Sequence, residues 1–237
     1  MVFQWKLFLA MFFCLVPLTH ATSFNAVTDF STSLNPNGPW SYGSTPSLGG
    51  TFSLLVAGSC GPLAGWNGGV ATAVGDPPMV YGGTGTCGGG TLAGGLLDLH
   101  PGPTGQYSDV RWIDAASGTY NISGIFQGID MTPTTTDVHV LLNGVSLFDS
   151  SVNSFGVPDP FNLIESLTAG DKLDFVVGFG TGGFSSDSTG FNATISSASA
   201  VPEPSPFLLF GTALAAVGLL RYRRRLVSPH GPTRNEV

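Results

Sequence analysis

Basic residues are scarce in this chain. Eight Lys and Arg stand against 15 Asp and Glu, for a net charge of −7. Charged residues of both signs make up 10% of the 237 positions, against roughly 25% in an average globular domain. That deficit removes the positive footprint that nucleic-acid binding needs, so no nucleic-acid partner is expected. Cysteine is nearly absent too, with 3 in the chain; they lie far apart and without paired His, which excludes a zinc site. Catalytic signatures are missing as well. There is no Gly-x-Ser-x-Gly elbow, and no glycine-rich stretch carries the Gly-Lys-Ser/Thr of a phosphate-binding loop. The acidic residues are scattered, with no pair marked as the acid and nucleophile of a glycosidase. No catalytic residue, cofactor or metal is implied, and the chain reads as a non-enzyme.

Glycine and hydrophobic residues are what the chain has in plenty. It holds 34 Gly and 17 Pro, is 42% hydrophobic and has a mean hydropathy of +0.27. Such a chain buries a core rather than remaining a disordered polar coil. Its glycines keep no three-residue period, which excludes a collagen triple helix.

The two ends carry targeting patterns. Lys6 precedes a ten-residue apolar run, Leu7 to Val16, followed by Pro17 and small residues at Thr19 and Ala21. This order predicts a signal peptide over 1–21, handled by Sec-type export machinery and cleaved after Ala21. Near the other end, Pro202, Glu203 and Pro204 precede a 14-residue apolar run, Phe207 to Leu220, and then Arg221, Arg223, Arg224 and Arg225. As a helix the run reaches about 21 Å, short of the roughly 30 Å of a bilayer core. No charge interrupts it, however, and an arginine cluster is the mark of a cytoplasmic flank. Snorkelling arginines and local thinning make up the difference. A short transmembrane helix in the inner membrane is expected here, with 226–237 as a cytoplasmic tail.

This three-part order over 201–225 resembles the C-terminal sorting signal of bacterial PEP-CTERM proteins. The resemblance implies an exported precursor held in the inner membrane until an exosortase cuts near the Pro-Glu-Pro. It also implies release to the cell surface or extracellular matrix of a bacterium that makes exopolysaccharide. One departure is the tail, since such proteins usually end just after the arginines and this chain runs on for twelve residues.

Between the ends, 22–200 carries 13 acidic residues and 2 basic ones, Arg111 and Lys172, for a net charge of −11. No long stretch there repeats apolar residues at helical spacing. Alternation at strand spacing is frequent, as at Val138, Val140 and Leu142, at Leu173, Phe175, Val177 and Phe179, and at Phe191, Ala193 and Ile195. Thr119 to Ile129 reads as a longer strand, and Asn143-Gly144 predicts a type I′ hairpin turn. The expectation is an all-β fold, a single β-sandwich ectodomain of jelly-roll type. Glycine-rich 49–105 is expected to consist mainly of surface loops, with strands at 51–57, 70–74 and 96–99 and a disordered insert as the alternative. Cys60 and Cys87, the pair left after signal removal, are expected to form a disulfide in an oxidising compartment.

Candidate ligand contacts are aromatic. Trp40, Tyr42, Trp66 and Trp112 lie in or beside turn-rich segments, where exposed rings stack on sugar faces; the alternative for each is a place in the core. Asp130, Asp149 and the segment Asp187 to Gly190 offer oxygens of the kind calcium takes, with turn formation as the simpler role. Gly118 to Tyr120, the Val138–Phe148 hairpin, Ala169 to Phe175 and Asp187 to Phe191 together resemble carbohydrate-binding-type jelly rolls of bacteria. That resemblance implies exopolysaccharide as a partner and transfers no binding residue. The function expected is that of an exported surface or matrix protein with a structural, adhesive or glycan-binding ectodomain. The alternatives are a secreted polysaccharide hydrolase and a permanently anchored type I membrane protein.

Overall fold

The computed structural model describes residues 22–69, 77–113, 115–132, 134–198, 214–215 and 217–223. Among them are sixteen strands. The first eight are β1 (Ser23–Asn25), β2 (Trp40–Thr45), β3 (Ser53–Leu54), β4 (Val56–Cys60), β5 (Leu63–Asn67), β6 (Met79–Gly82), β7 (Gly85–Cys87) and β8 (Gly90–Leu92). The remainder are β9 (Leu97–His100), β10 (Tyr107–Ile113), β11 (Gly118–Gly128), β12 (Thr136–Leu142), β13 (Val145–Val152), β14 (Pro158–Leu167), β15 (Lys172–Gly178) and β16 (Thr189–Ser197).

The strands form an all-β sandwich within a unit spanning Ala21–Ala198. The larger sheet runs β14-β11-β16-β9-β6-β5-β4, with β1 added to β16, and the smaller runs β13-β12-β15-β10-β2-β3. Inward residues of both sheets share one core that includes Trp40, Val110, Phe175, Phe126 and Phe191. Rings interlock across it: Phe175 of β15 lies 5.0 Å from Phe191 of β16, and Trp112 of β10 lies 5.5 Å from Tyr120 of β11. The alternation read from the sequence is the cause, because a period of two sends every second residue of a strand to the same face. Asn143 (φ 51°) and Gly144 (φ 83°) make the β12–β13 turn, both left-handed as a type I′ turn requires.

The glycine-rich half departs from the expectation of loops. Six strands, β3 to β8, lie between Ser53 and Leu92, and β9 follows. Its glycines make space for rings. A Cβ on Gly82 would stand 2.7 Å from the Phe30 ring, and one on Gly65 would stand 2.9 Å from it. The small β7–β8 hairpin encloses a second core of Leu63, Met79, Tyr81, Cys87, Leu92, Leu96 and Ile129. Cys60 and Cys87 are disulfide-bonded, tying β4 to that hairpin with a Cα–Cα distance of 5.4 Å.

The signal peptide expected at 1–21, Pro202, Glu203, Pro204, Arg224, Arg225, the cytoplasmic tail expected at 226–237 and the strand expected at 70–74 lie outside the described residues. Residues 214–215 and 217–223, which include Arg221 and Arg223, are helical and exposed. Among the described residues no helix is long and apolar enough to cross a membrane.

Candidate polar pocket on the smaller sheet

The aromatic candidates are core residues. Trp40 and Tyr42 are 0% exposed, Trp112 1% and Trp66 7%. The register explains this: Trp40 pairs with Trp112, and Tyr42 pairs with Val110, on inward positions of β2 and β10. Trp40 donates its indole N–H to Asp29 Oδ2 and Trp66 donates its own to the Ser31 carbonyl, so their polar edges are also engaged. These four rings therefore leave no face to a sugar. Trp112 has an edge on an apolar cleft with Phe24, Pro36, Pro39 and Ile113, about 440 Å³ in volume.

The calcium candidates do not converge on one three-ligand site either. Asp187 accepts hydrogen bonds from the Thr135 N–H and hydroxyl, while Asp149 accepts from His139 Nδ1. Asp130 is a buried carboxyl near enough to Asp187 to help raise its pKa. Among the described residues no group of three or more His, Cys, Asp and Glu is placed to hold a metal ion.

What the sheet builds instead is a polar pocket of about 420 Å³, lined by Gly49 to Phe52, Arg111, Asn143, Gly144, Lys172 and Asp174. Each part has a local cause. On β10, inward Val110 and Trp112 alternate with outward Asp109 and Arg111. On β15, inward Leu173 and Phe175 likewise leave Lys172 and Asp174 outward. Antiparallel pairing sets Arg111 opposite Asp174 and Ile113 opposite Lys172. Arg111 then donates Nε–H to Asp174 Oδ1 at 2.5 Å and Nη2–H to Oδ2 at 2.9 Å. This two-bond fork holds the guanidinium plane fixed.

Two loops form the rim. Phe52 lies over β2, where Gly43 alone gives it room, since a Cβ there would stand 2.2 Å from the ring. The Arg111 guanidinium carbon is 4.1 Å from the centre of that ring, a cation–π contact. In the second loop, which adjoins the first at Gly49, Asn143 donates its backbone N–H to the Lys172 carbonyl and accepts the Lys172 N–H on its side chain. Its amide also donates to Asp171 Oδ1. The hairpin turn is thus tied to the turn before β15.

Asp109 is fully buried two residues before Arg111 and on the same face, and neither of its oxygens has a hydrogen-bond partner. Burial pushes its carboxyl well above the usual range; Asp174 adds to this and Arg111 offsets it. Farther along the outer face, His139 sits between Asp137 (Nε2 to Oδ2, 3.0 Å) and Asp149 (Nδ1 to Oδ1, 2.5 Å). Tyr107 donates its hydroxyl to Asp137 Oδ2. Burial disfavours the Asp137 carboxylate, but the hydrogen bonds from His139, Tyr107 and Gly180 N–H outweigh it and hold the group down at about 2. Burial likewise opposes charge on His139, and the two carboxylates raise it nonetheless.

Sequence reasoning identified Arg111 and Lys172 as the cations of the domain but not their convergence. The outward alternation of Arg111 on β10 and of Lys172 and Asp174 on β15 was the available signal. Their register was not, because the Arg111–Asp174 pair spans 63 residues.

No protein-family model matches the chain, and no curated protein matches it. Parts of the sandwich superpose on solved structures. One is a family 35 carbohydrate binding module from Clostridium thermocellum, with 14% identity over 51% of this chain and 88% of that one, at a TM-score of 0.33. Another is CBM51 from Clostridium perfringens GH95 in complex with methyl-galactose, with 18% identity over 42% and 68%, at 0.32. Rabbit GITRL also superposes, with 12% identity over 39% and 74%, at 0.27. At such scores the function has to be argued from this chain's own residues.

Proposed function

We propose that this is an exported bacterial surface or matrix protein whose β-sandwich binds extracellular polysaccharide through the polar pocket on its smaller sheet. The observation that carries the binding reading is the pocket itself. It is open and rimmed by two loops, and hydrogen-bonding groups already fixed by β10 and β15 line it. Preorganised polar groups of this kind let a site hold a sugar without first ordering its own side chains. The Cys60–Cys87 disulfide supports an oxidising compartment. The sorting signal read at 201–225 supports transient anchoring by an inner-membrane helix, exosortase processing and release.

Hydrolysis at this pocket is the weaker reading. A glycosidase brings two carboxyl groups to the scissile bond. Asp174 is the one carboxylate among the lining residues, and Arg111 occupies both of its oxygens.

The test is co-sedimentation of the purified chain with insoluble polysaccharide from the matrix of its host. Depletion of the chain from the supernatant, without release of reducing sugar, is the expected result. A chain left wholly in the supernatant would instead mark an inert matrix component.

A further inference from the structure

We infer that the pocket selects an acidic sugar, a carboxylate-bearing residue of a polysaccharide, held between Arg111 and Lys172. This rests on the reading of the pocket as a glycan site and names its ligand class. The stretch 22–200 has 13 acidic residues and two cations, and both cations line this one pocket. Pairing of β10 with β15 brings them there from positions far apart in the chain.

Both cations have capacity to spare. A guanidinium has five N–H donors, and Asp174 takes two of them, on Nε and Nη2. The three left include one on each terminal nitrogen, the pair that grips a second carboxylate end-on. Lys172 is exposed, and among the described residues no carboxylate lies within ion-pair distance of it. The Arg111 guanidinium carbon lies 4.1 Å from the centre of the Phe52 ring, and the fork to Asp174 holds the free donors in a defined plane.

Local charge agrees in sign. Arg111 and Asp174 cancel, and Asp109 is held toward its neutral form by burial and by Asp174. Asp171, the residue before Lys172, is engaged by the Thr168 N–H and the Asn143 amide, so the Lys172 ammonium has no ion-pair partner among the described residues. The net −11 of 22–200 opposes an anion, but charges farther from the pocket than a Debye length of about 8 Å are largely screened.

The test uses the full-length chain in detergent micelles and titration calorimetry. Three ligands are compared: tetragalacturonate, the same tetramer with its carboxyl groups reduced to alcohols, and a sulfated galactose tetramer. The acidic tetramer is expected to bind and the reduced one not to. Lys172→Gln is expected to weaken the acidic tetramer about tenfold, the loss of one charge-assisted hydrogen bond, with its melting temperature unchanged. Arg111→Lys, which keeps the charge and loses the fork, is expected to weaken it as well. Equal binding of the reduced tetramer, or acidic binding unmoved by both substitutions, would overturn the acidic-sugar assignment and leave the glycan reading standing. Preference for the sulfated tetramer would overturn the choice of carboxylate. If none of the three binds, the acidic-sugar assignment falls, and co-sedimentation with the host polysaccharide decides the glycan reading separately.

Discussion

Arg111 and Asp174 face each other across β10 and β15, joined by two hydrogen bonds of 2.5 and 2.9 Å with both side chains largely buried. The pair is at once a strand-to-strand tie and part of the pocket lining. Removing one partner strands the other. Asp174→Ala is therefore expected to lose about 3 kcal/mol, at the low end for a broken buried ion pair because Arg111 keeps some access to water. Lys172→Gln, at an exposed position, is expected to change stability by less than about 0.5 kcal/mol. Urea unfolding of the two variants checks the contrast, and equal losses would place the tie elsewhere.

The His139 network predicts a stability plateau with two edges. The folded pKa of His139 is raised above its ordinary 6.5, so its contribution is full below 6.5 and fades as pH rises through the raised value. Asp137 is held down at about 2 from an ordinary 3.8, so its contribution is full above 3.8 and fades as pH falls toward 2. Stability from this network is expected to be greatest between about pH 4 and 6.5. In melting curves taken across pH, His139→Gln should remove the fall on the alkaline side. A variant with the same alkaline fall as the parent would show that other groups cause it.

The disulfide closes a loop whose ends are 27 residues apart in sequence. Chain entropy gives such a bridge about 3 kcal/mol. Cys60→Ser with Cys87→Ser is expected to lower the denaturant midpoint accordingly. Because the bridge secures the β7–β8 hairpin over the second core, hydrogen exchange should rise first in 85–92.

Gly144 has φ 83°, and a Cβ there would meet nothing closer than the Gly49 carbonyl at 3.7 Å. Space is free, so the penalty of Gly144→Ala is backbone strain alone, about 1 kcal/mol. The same substitution alters the pocket rim, and glycan affinity is expected to fall along with stability.

The C-terminal half of the sandwich was legible because its signals are local. Asn143-Gly144 names its own turn, and the alternation around Phe175 and Phe191 needs no partner to be recognised. The glycine-rich half was not. Gly65 and Gly82 look like loop residues until Phe30 is known to lie against them. Leu63 and Met79 are buried on the far face of their sheet by a hairpin that sequence alone does not place there. Trp40 and Trp112 were ambiguous for a related reason. Turn-forming neighbours such as Asn35 to Pro39 precede Trp40, yet its own register turns it inward. The pocket required the register of β10 against β15, which is a property of the tertiary fold.

Export followed by release is the account's central claim, and intact mass of the chain in membrane and culture fractions of its host tests it most directly. The account predicts a species that begins at Thr22, ends between Pro202 and Ser205 and is found outside the membrane. A membrane-bound species that keeps 207–237 would contradict it and make the anchor the endpoint.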